Sequence, residues 1–158
     1  MNLFPMIQPE LELKDASLPM YKEIAWDFEH NIPIYKNGSP KWITGKEAVL
    51  VWAWKALHVQ KYSYPIYSWN YGCQLESLIG QTVSEELKQS EAMRYVRQTL
   101  TENPYITDVK EVSVSFTNDV LSISCILNTR YGEVKVNAWV QYPNIRGNKK
   151  QNFRRYDI

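Results

Sequence analysis

The carboxylates near a run of aromatic side chains are the residues best suited to catalysis. Glu76 follows the aromatic segment, and Glu85 and Glu86 come shortly afterwards. A glycosidase needs two carboxyl groups roughly 5–9.5 Å apart, one of them with a raised pKa. Aromatic rings beside such a pair suit a sugar, so a small peptidoglycan-cleaving enzyme is one hypothesis. The preferred interpretation is the ordinary one, in which acidic residues at a helix start complement the helix dipole.

Thiol, imidazole and metal chemistry have weaker support. Cys73 and His58 are close enough in sequence to form a Cys–His pair, but Cys73 lies in an apolar stretch, as structural thiols do. With His30 and Cys125 they lack the clustered spacing of a zinc site. The sequence has no phosphate-binding glycine motif, C-x-x-C, H-E-x-x-H or G-x-S-x-G. We therefore expect no catalytic residue, no metal and no cofactor.

The most unusual local feature is the aromatic-rich stretch 58–72. Its tyrosines and tryptophan cannot all point into one core. They either pack inside for the most part or anchor an interface, since Tyr and Trp are common hot-spot residues. The candidate partner-binding residues are Tyr64, Pro65, Tyr67, Trp69, Tyr71, Gly72 and Leu75.

A basic tail occupies residues 143–158. It lacks a folded platform for nucleic acid, and a solvated end is one interpretation. The other is an anchor that pairs with a neighbouring sheet edge, because its apolar residues alternate loosely with polar ones. The candidate anchor residues are Arg154, Arg155 and Tyr156.

Composition predicts one globular domain that works inside an assembly. The chain has 158 residues, 44% of them hydrophobic and 22% charged, with a formal net charge of +1. That charge gives no global field for nucleic acid or an anionic membrane, and it suits a subunit better than a free protein. Two cysteines make no disulfide framework, and neither a signal peptide nor a membrane span is expected.

The first half predicts an extended arm, a small hairpin and a buried helix. Residues 1–20 read as the arm, and Asn37-Gly38 is a turn signal within a β-hairpin or meander. Thr44 and Glu47 have the spacing of a capping box. The helix that they would open, over 48–57, is apolar on nearly every face, so it should be central and buried.

A short helix over Gln74–Ile79 should end at Gly80, and Ser84 should cap a third helix that ends before Asn103-Pro104. The predicted buried stripe of this helix is Leu87, Met93, Val96 and Leu100.

Three runs of alternating polar and apolar residues then predict an antiparallel meander over 112–116, 121–127 and 134–142. With the helices on its apolar face, the expected class is α+β, one domain over 21–142. The candidate strand-exchange residues are Val134, Val136, Ala138 and Val140.

The stretch 64–80, YPIYSWNYGCQLESLIG, resembles the signature of XkdS-like phage tail proteins. Asn103-Pro104-Tyr105-Ile106 and the run 128–134 fit the same family, and the resemblance covers about 22–135. That family is similar to the lysozyme-named baseplate wedge proteins of contractile tails, also called sheath initiators. Their aromatic-Gly-x-x-Leu step is matched by Tyr71 to Leu75, whereas Gln60-Lys61 stands where they carry Glu-Arg.

The resemblance implies a structural component of a phage tail or phage-tail-like bacteriocin baseplate. It implies contacts with baseplate wedge proteins, the sheath protein and the tail tube, and six copies in a ring. It also implies that the sheet over 109–142 accepts sheath strands, in a particle assembled in the host cytoplasm. An enzyme and a nucleic-acid-binding tail component remain the alternatives.

Overall fold

The computed structural model describes residues 17–117 and 120–141. Arg154, Arg155 and Tyr156 lie outside the described residues, so the tail anchor and the division into arm, domain and tail stay predictions. The strands are β1 (Lys22–Ile24), β2 (Trp26–Asp27), β3 (Ile32–Pro33), β4 (Tyr35–Lys36), β5 (Ser39–Pro40), β6 (Trp42–Thr44), β7 (Ile106–Thr117), β8 (Val120–Thr129) and β9 (Gly132–Gln141). The helices are α1 (Lys46–His58), a short 3-10 helix (Leu75–Leu78) and α2 (Glu85–Thr101).

The main sheet is the predicted antiparallel meander, in the order β7-β8-β9. Strand β8 alternates strictly, and its inward residues Leu121, Ile123 and Cys125 are buried against the helices. Strand β7 begins at Ile106, well before the predicted 112. A register irregularity between Lys110 and Ser113 interrupts the alternation there, which hides the first half of the strand from a period-two pattern. The α+β class is confirmed.

Helix α1 is buried on nearly every side, as predicted, between the sheet, α2 and the short strands. The predicted capping box is wrong. Thr44 belongs to β6, where it pairs with Lys22, and the N-cap is Gly45, with no side-chain cap bond. Because β6 runs directly into the helix, the threonine is held in a strand instead of at the helix end.

Helix α2 begins as predicted, since the Ser84 hydroxyl accepts a hydrogen bond from the Leu87 N–H at 3.3 Å. Its buried stripe contains Val96 and Leu100, with Ala92 one turn earlier. The prediction that Leu87 belongs to this stripe is wrong, because its side chain is 49% exposed. On a helix of about 3.6 residues per turn, Leu87 lies off the line through Ala92 and Val96.

The N-terminal strands form three small antiparallel pairs, β1 with β6, β2 with β3 and β4 with β5. The predicted turn at Asn37-Gly38 closes β4 onto β5, with both residues at positive φ (52° and 77°). Lys55 of α1 ties the helix to β1 by an ion pair with Glu23 at 3.1 Å, and its ammonium lies 4.5 Å from the Trp26 ring centroid.

Backbone hydrogen bonds join the two ends of the aromatic stretch where it leaves and re-enters the core, and these joined ends are here called the closed base. Cys73 N–H donates to the Val59 carbonyl at 2.8 Å, and Lys61 N–H donates to the Cys73 carbonyl at 3.1 Å. The Thr99 hydroxyl of α2 donates to the Gly72 carbonyl at 3.1 Å. Gly72 has φ 105°, and a Cβ added there would lie 2.7 Å from the Val59 carbonyl oxygen. Only glycine fits at this crossing, where the chain at Gly72 passes the Val59 carbonyl, without displacing backbone.

Gly72→Ala is expected to lower the free energy of unfolding by about 3 kcal/mol or more, since backbone strain and overpacking each cost ~1–3 kcal/mol. Gly80→Ala is the matched control, because Gly80 also has positive φ (76°) but its Cβ would meet nothing within 4 Å. The control should lose about 1 kcal/mol, from backbone strain alone. Urea unfolding followed by circular dichroism measures both, and equal losses would contradict the role assigned to the crossing.

Candidate functional site

The first candidate surface is the exposed part of the aromatic stretch, residues 62–69, here called the aromatic loop. Ile66 is 87% exposed and Trp69 is 75% exposed. The rings pack on one another: the Tyr62 and Trp69 centroids are 4.7 Å apart, and those of Tyr64 and Tyr67 are 6.1 Å apart in an edge-on arrangement. The loop therefore presents clustered apolar side chains to solvent, which is typical of an interaction site.

The structure divides the predicted partner-binding residues into two groups. Tyr64, Pro65, Tyr67 and Trp69 are exposed in the aromatic loop. Tyr71 is half-buried, with its ring edge-on to Trp52 at 5.9 Å, and burial raises the pKa of its phenol. Gly72 is buried at the closed base and Leu75 is 1% exposed in the core, so neither the glycine nor the leucine of the Gly-x-x-Leu motif lies at the surface.

Sequence reasoning missed Ile66 and Tyr62 as surface residues. Ile66 has the most exposed side chain of the large apolar residues in the described part of the chain. The feature of the sequence that could have indicated its exposure is its position between Pro65 and Tyr67, inside the aromatic run.

A pocket of about 360 Å³ lies behind the aromatic loop, between α1 and the C-terminal end of α2. Four aromatic residues line it, Tyr21, Trp52, Tyr71 and Tyr105; the rest of the described lining is Ser68, Asn70, Gly72, Thr99, Glu102, Asn103 and Pro104. Burial and the nearby Glu23 carboxylate raise the pKa of Tyr21. This pocket could not be predicted from the sequence, because its residues come from four separate parts of the chain.

The second candidate surface is the outer edge of β9. The side chains of Val134, Val136, Ala138 and Val140 are buried on the helix side of the sheet. They cannot themselves contact another chain, so any pairing at this strand must use its backbone. No described strand pairs with the outer side of β9.

His58 identifies which backbone groups point outward. Its Nε2 lies 3.1 Å from the Trp139 carbonyl, and its Nδ1 lies 2.7 Å from the Trp54 carbonyl. The Trp139 carbonyl therefore points away from β8. In an antiparallel strand, every second residue points the same way, so the N–H and C=O of Asn137 and Lys135 also face outward.

An apolar groove runs along this edge of β9. A cavity of about 640 Å³ is lined by Phe28, Leu50, Trp54, Trp139 and Lys135, with Glu29 and Asn137 completing its wall. The Phe28 and Trp54 rings pack together with centroids 5.2 Å apart. A strand added at this edge would therefore find apolar side chains on the helix side.

The opposite edge of the sheet, along β7, is obstructed. Its pairing with β8 shifts register twice, between Ile106 and Asp108 and between Lys110 and Ser113. Glu111 has positive φ (50°), and the Arg97 guanidinium donates to the Val109 carbonyl at 3.3 Å. The β8–β9 register, by contrast, is continuous from Gly132 to Gln141. Bulges are one of the devices by which proteins prevent strand addition, and in the described sheet the register shifts occur on the β7 side.

The residues considered for catalysis are not assembled into a site. Glu76 borders a cavity of about 40 Å³, too small for a sugar ring, and Glu85 pairs with Lys88 on the surface of α2 at 3.3 Å. Cys73 is buried, which raises the pKa of its thiol, and burial raises the pKa of Cys125 to about 11. Both thiols are therefore protonated at neutral pH, when they are poor nucleophiles.

Within residues 17–117 and 120–141, no group of three or more His, Cys, Asp and Glu side chains is arranged to hold a metal ion. None of the helices described is long and apolar enough to cross a membrane.

Comparison with known proteins identifies the family. Over 133 residues, which are 82% of this chain and 93% of the relative, the sequence is 24% identical to the phage-like element PBSX protein XkdS of Bacillus subtilis (strain 168). Residues 22–132, well over half of the chain, match the family described as contractile injection system sheath initiator. The resemblance drawn from the motif at 64–80 is thereby confirmed. The chain belongs to the contractile injection system sheath initiators, a family of structural, virion-associated tail proteins.

Proposed function

We propose that this protein joins the baseplate to the sheath through two surfaces, the aromatic loop and the outer edge of β9. The aromatic loop docks on the baseplate wedge, and the edge of β9 accepts a strand from the first sheath subunits. Six copies in a ring around the tail tube would present six such edges. The observation that carries this proposal is the difference between the two sheet edges, one obstructed and the other regular.

The choice of β9 follows from what an added strand requires. It needs a run of outward N–H and C=O groups in regular register, and β9 offers those of Lys135, Asn137 and Trp139. It also needs cover for its helix-facing side chains, and the groove beside β9 supplies Leu50 and Trp54. Strand addition of this kind derives its affinity from main-chain bonds and its specificity from side-chain pockets.

In the absence of an added strand, the Nε2 atom of His58 contacts the Trp139 carbonyl. The other ring nitrogen of His58 contacts the Trp54 carbonyl, so the ring can give up its contact with Trp139 to an incoming N–H and keep its contact with Trp54. His58 therefore does not have to leave the helix when a strand is added.

Docking through the aromatic loop is supported by its exposure and by its firm base. Trp69 and Ile66 project from a loop whose ends are joined by backbone bonds between residues 59–61 and 73. A restrained loop loses little conformational entropy on binding, which favours affinity. The same rings, left uncovered, would be an aggregation hazard in a protein of net charge +1.

The double variant Ile66→Ala/Trp69→Ala should lower the amount of this protein in purified tail particles by about tenfold or more, since a hot-spot residue contributes ~2 kcal/mol or more to binding. Both side chains are exposed, so the free energy of unfolding should hardly change. Quantitative immunoblotting of particles, with the chemical denaturation of the purified variant, measures the two effects.

Trp42→Ala is the matched control, because Trp42 is also a well-exposed tryptophan but lies on β6. Its particles should contain the normal amount of protein. Normal incorporation of the double variant would contradict docking through the aromatic loop.

Asn137→Pro should yield particles that contain this protein but have bare tubes without sheath. Proline removes an outward N–H and is tolerated at strand edges where the N–H faces solvent. Asn137→Thr, which keeps the N–H and suits a strand, should give normal sheaths. Electron microscopy of the particles, with circular dichroism to verify folding, measures the result. Sheathed particles from a folded, incorporated Asn137→Pro protein would exclude the β9 edge as the strand acceptor.

A further inference from the structure

The pocket behind the aromatic loop has the chemistry of a cation site. Four aromatic residues line it, namely Tyr21, Trp52, Tyr71 and Tyr105. The face of an aromatic ring carries partial negative charge and attracts a cation within about 6 Å of its centroid. Several rings around one cavity of about 360 Å³ allow a guest to contact more than one face.

The end of α2 adds to this negative character. Thr99, Glu102 and Asn103 from the last turn and cap of the helix contribute to the lining. A helix C-terminus carries an effective charge of roughly −0.5, which basic side chains in the last turn often offset. The last turn of α2 contains no basic residue.

Among the described residues, Glu102 is the one charged residue that lines the pocket, and no lysine or arginine lines it. Within the described residues, its carboxylate forms no ion pair. Burial raises the pKa of the Tyr21 and Tyr71 phenols, so these two residues contribute neutral rings to the pocket. Rings, helix end and carboxylate therefore all favour the same kind of guest.

We propose that this pocket receives the guanidinium of an arginine side chain presented by a partner protein. A planar guanidinium stacks on aromatic rings and has five N–H donors, which suits Trp52 and Tyr71 together with the Glu102 carboxylate. The volume admits one long side chain and no folded element. A lysine ammonium would gain the charge attraction but not the stacking.

The connection of the pocket to the aromatic loop indicates a protein as the source of this arginine. Ser68 belongs to the aromatic loop, Asn70 and Tyr71 follow it directly, and all three line the pocket. A protein that covers the loop would thus bring its own side chains to the opening. This assignment of the source rests on the proposed docking, whereas the preference of the pocket for a guanidinium does not.

Titration of the ¹⁵N-labelled protein with N-acetyl-arginine N-methylamide tests the pocket directly. Addition should shift the Trp52 indole N–H and the Gly72 amide resonances in saturable fashion. The citrulline analogue has the same shape without the charge, and it should bind about tenfold more weakly. Equal binding of the two probes, or shifts that are spread over the surface and spare Trp52, would overturn the proposal.

Glu102→Gln should weaken binding of the arginine probe by about fivefold, the effect of one partly exposed charge pair. Glu86→Gln is the matched control, since Glu86 is exposed in the first turn of the same helix, and it should leave binding unchanged. Unchanged binding in Glu102→Gln would exclude the carboxylate as a partner of the guanidinium.

The two proposals fail separately. Retained arginine binding with normal incorporation of Ile66→Ala/Trp69→Ala would reject the docking but keep the pocket. Lost docking in that variant, with no preference for arginine over citrulline, would reject the pocket but keep the docking.

Discussion

Helix α1 sets the constraint on which the rest of the structure depends, because it has no face that can be left to water. Seven of its residues are buried, from Ala48 to Leu57. A helix of this kind is stable only inside other elements. The sheet covers it through β9, α2 lies beside it, and the short strands β1 and β6 close the remaining side. The closed base of the aromatic stretch completes the cover just after the end of α1, at Val59.

The parts of this fold that follow one periodicity could be read from the sequence. Strand β8 has an unbroken alternation, and α1 is apolar all round, so both were predicted in kind and nearly in extent. Where two local rules compete, the tertiary context decides. Thr44 has the spacing of a helix cap, but pairing with Lys22 holds it in β6. The start of β7 was missed because the irregularity before Ser113 resets the alternation.

The exposed aromatic surface was predictable as a segment but not residue by residue. A run of aromatic residues indicates an interface, yet it does not tell which rings face out. Gly72 and Leu75 carry the family resemblance, and both are buried. Gly72 is required because a Cβ would meet the Val59 carbonyl oxygen at 2.7 Å, and Leu75 fills the core. The motif thus marks the fold that holds the loop, while the exposed Ile66 and Trp69 lie just before it.

The same helix also fixes how the two surfaces are oriented. Leu50 and Trp54 lie one turn apart and line the groove beside β9. Trp52 lines the pocket behind the aromatic loop. At about 100° per residue, Trp52 points roughly 200° away from Leu50, so the helix presents opposite faces to the two sites. Because α1 is continuous from Lys46 to His58, no hinge separates them within the helix. The proposed function makes use of this rigid connection, because flexibility between a docking surface and a strand-accepting edge would vary the direction of the added strand.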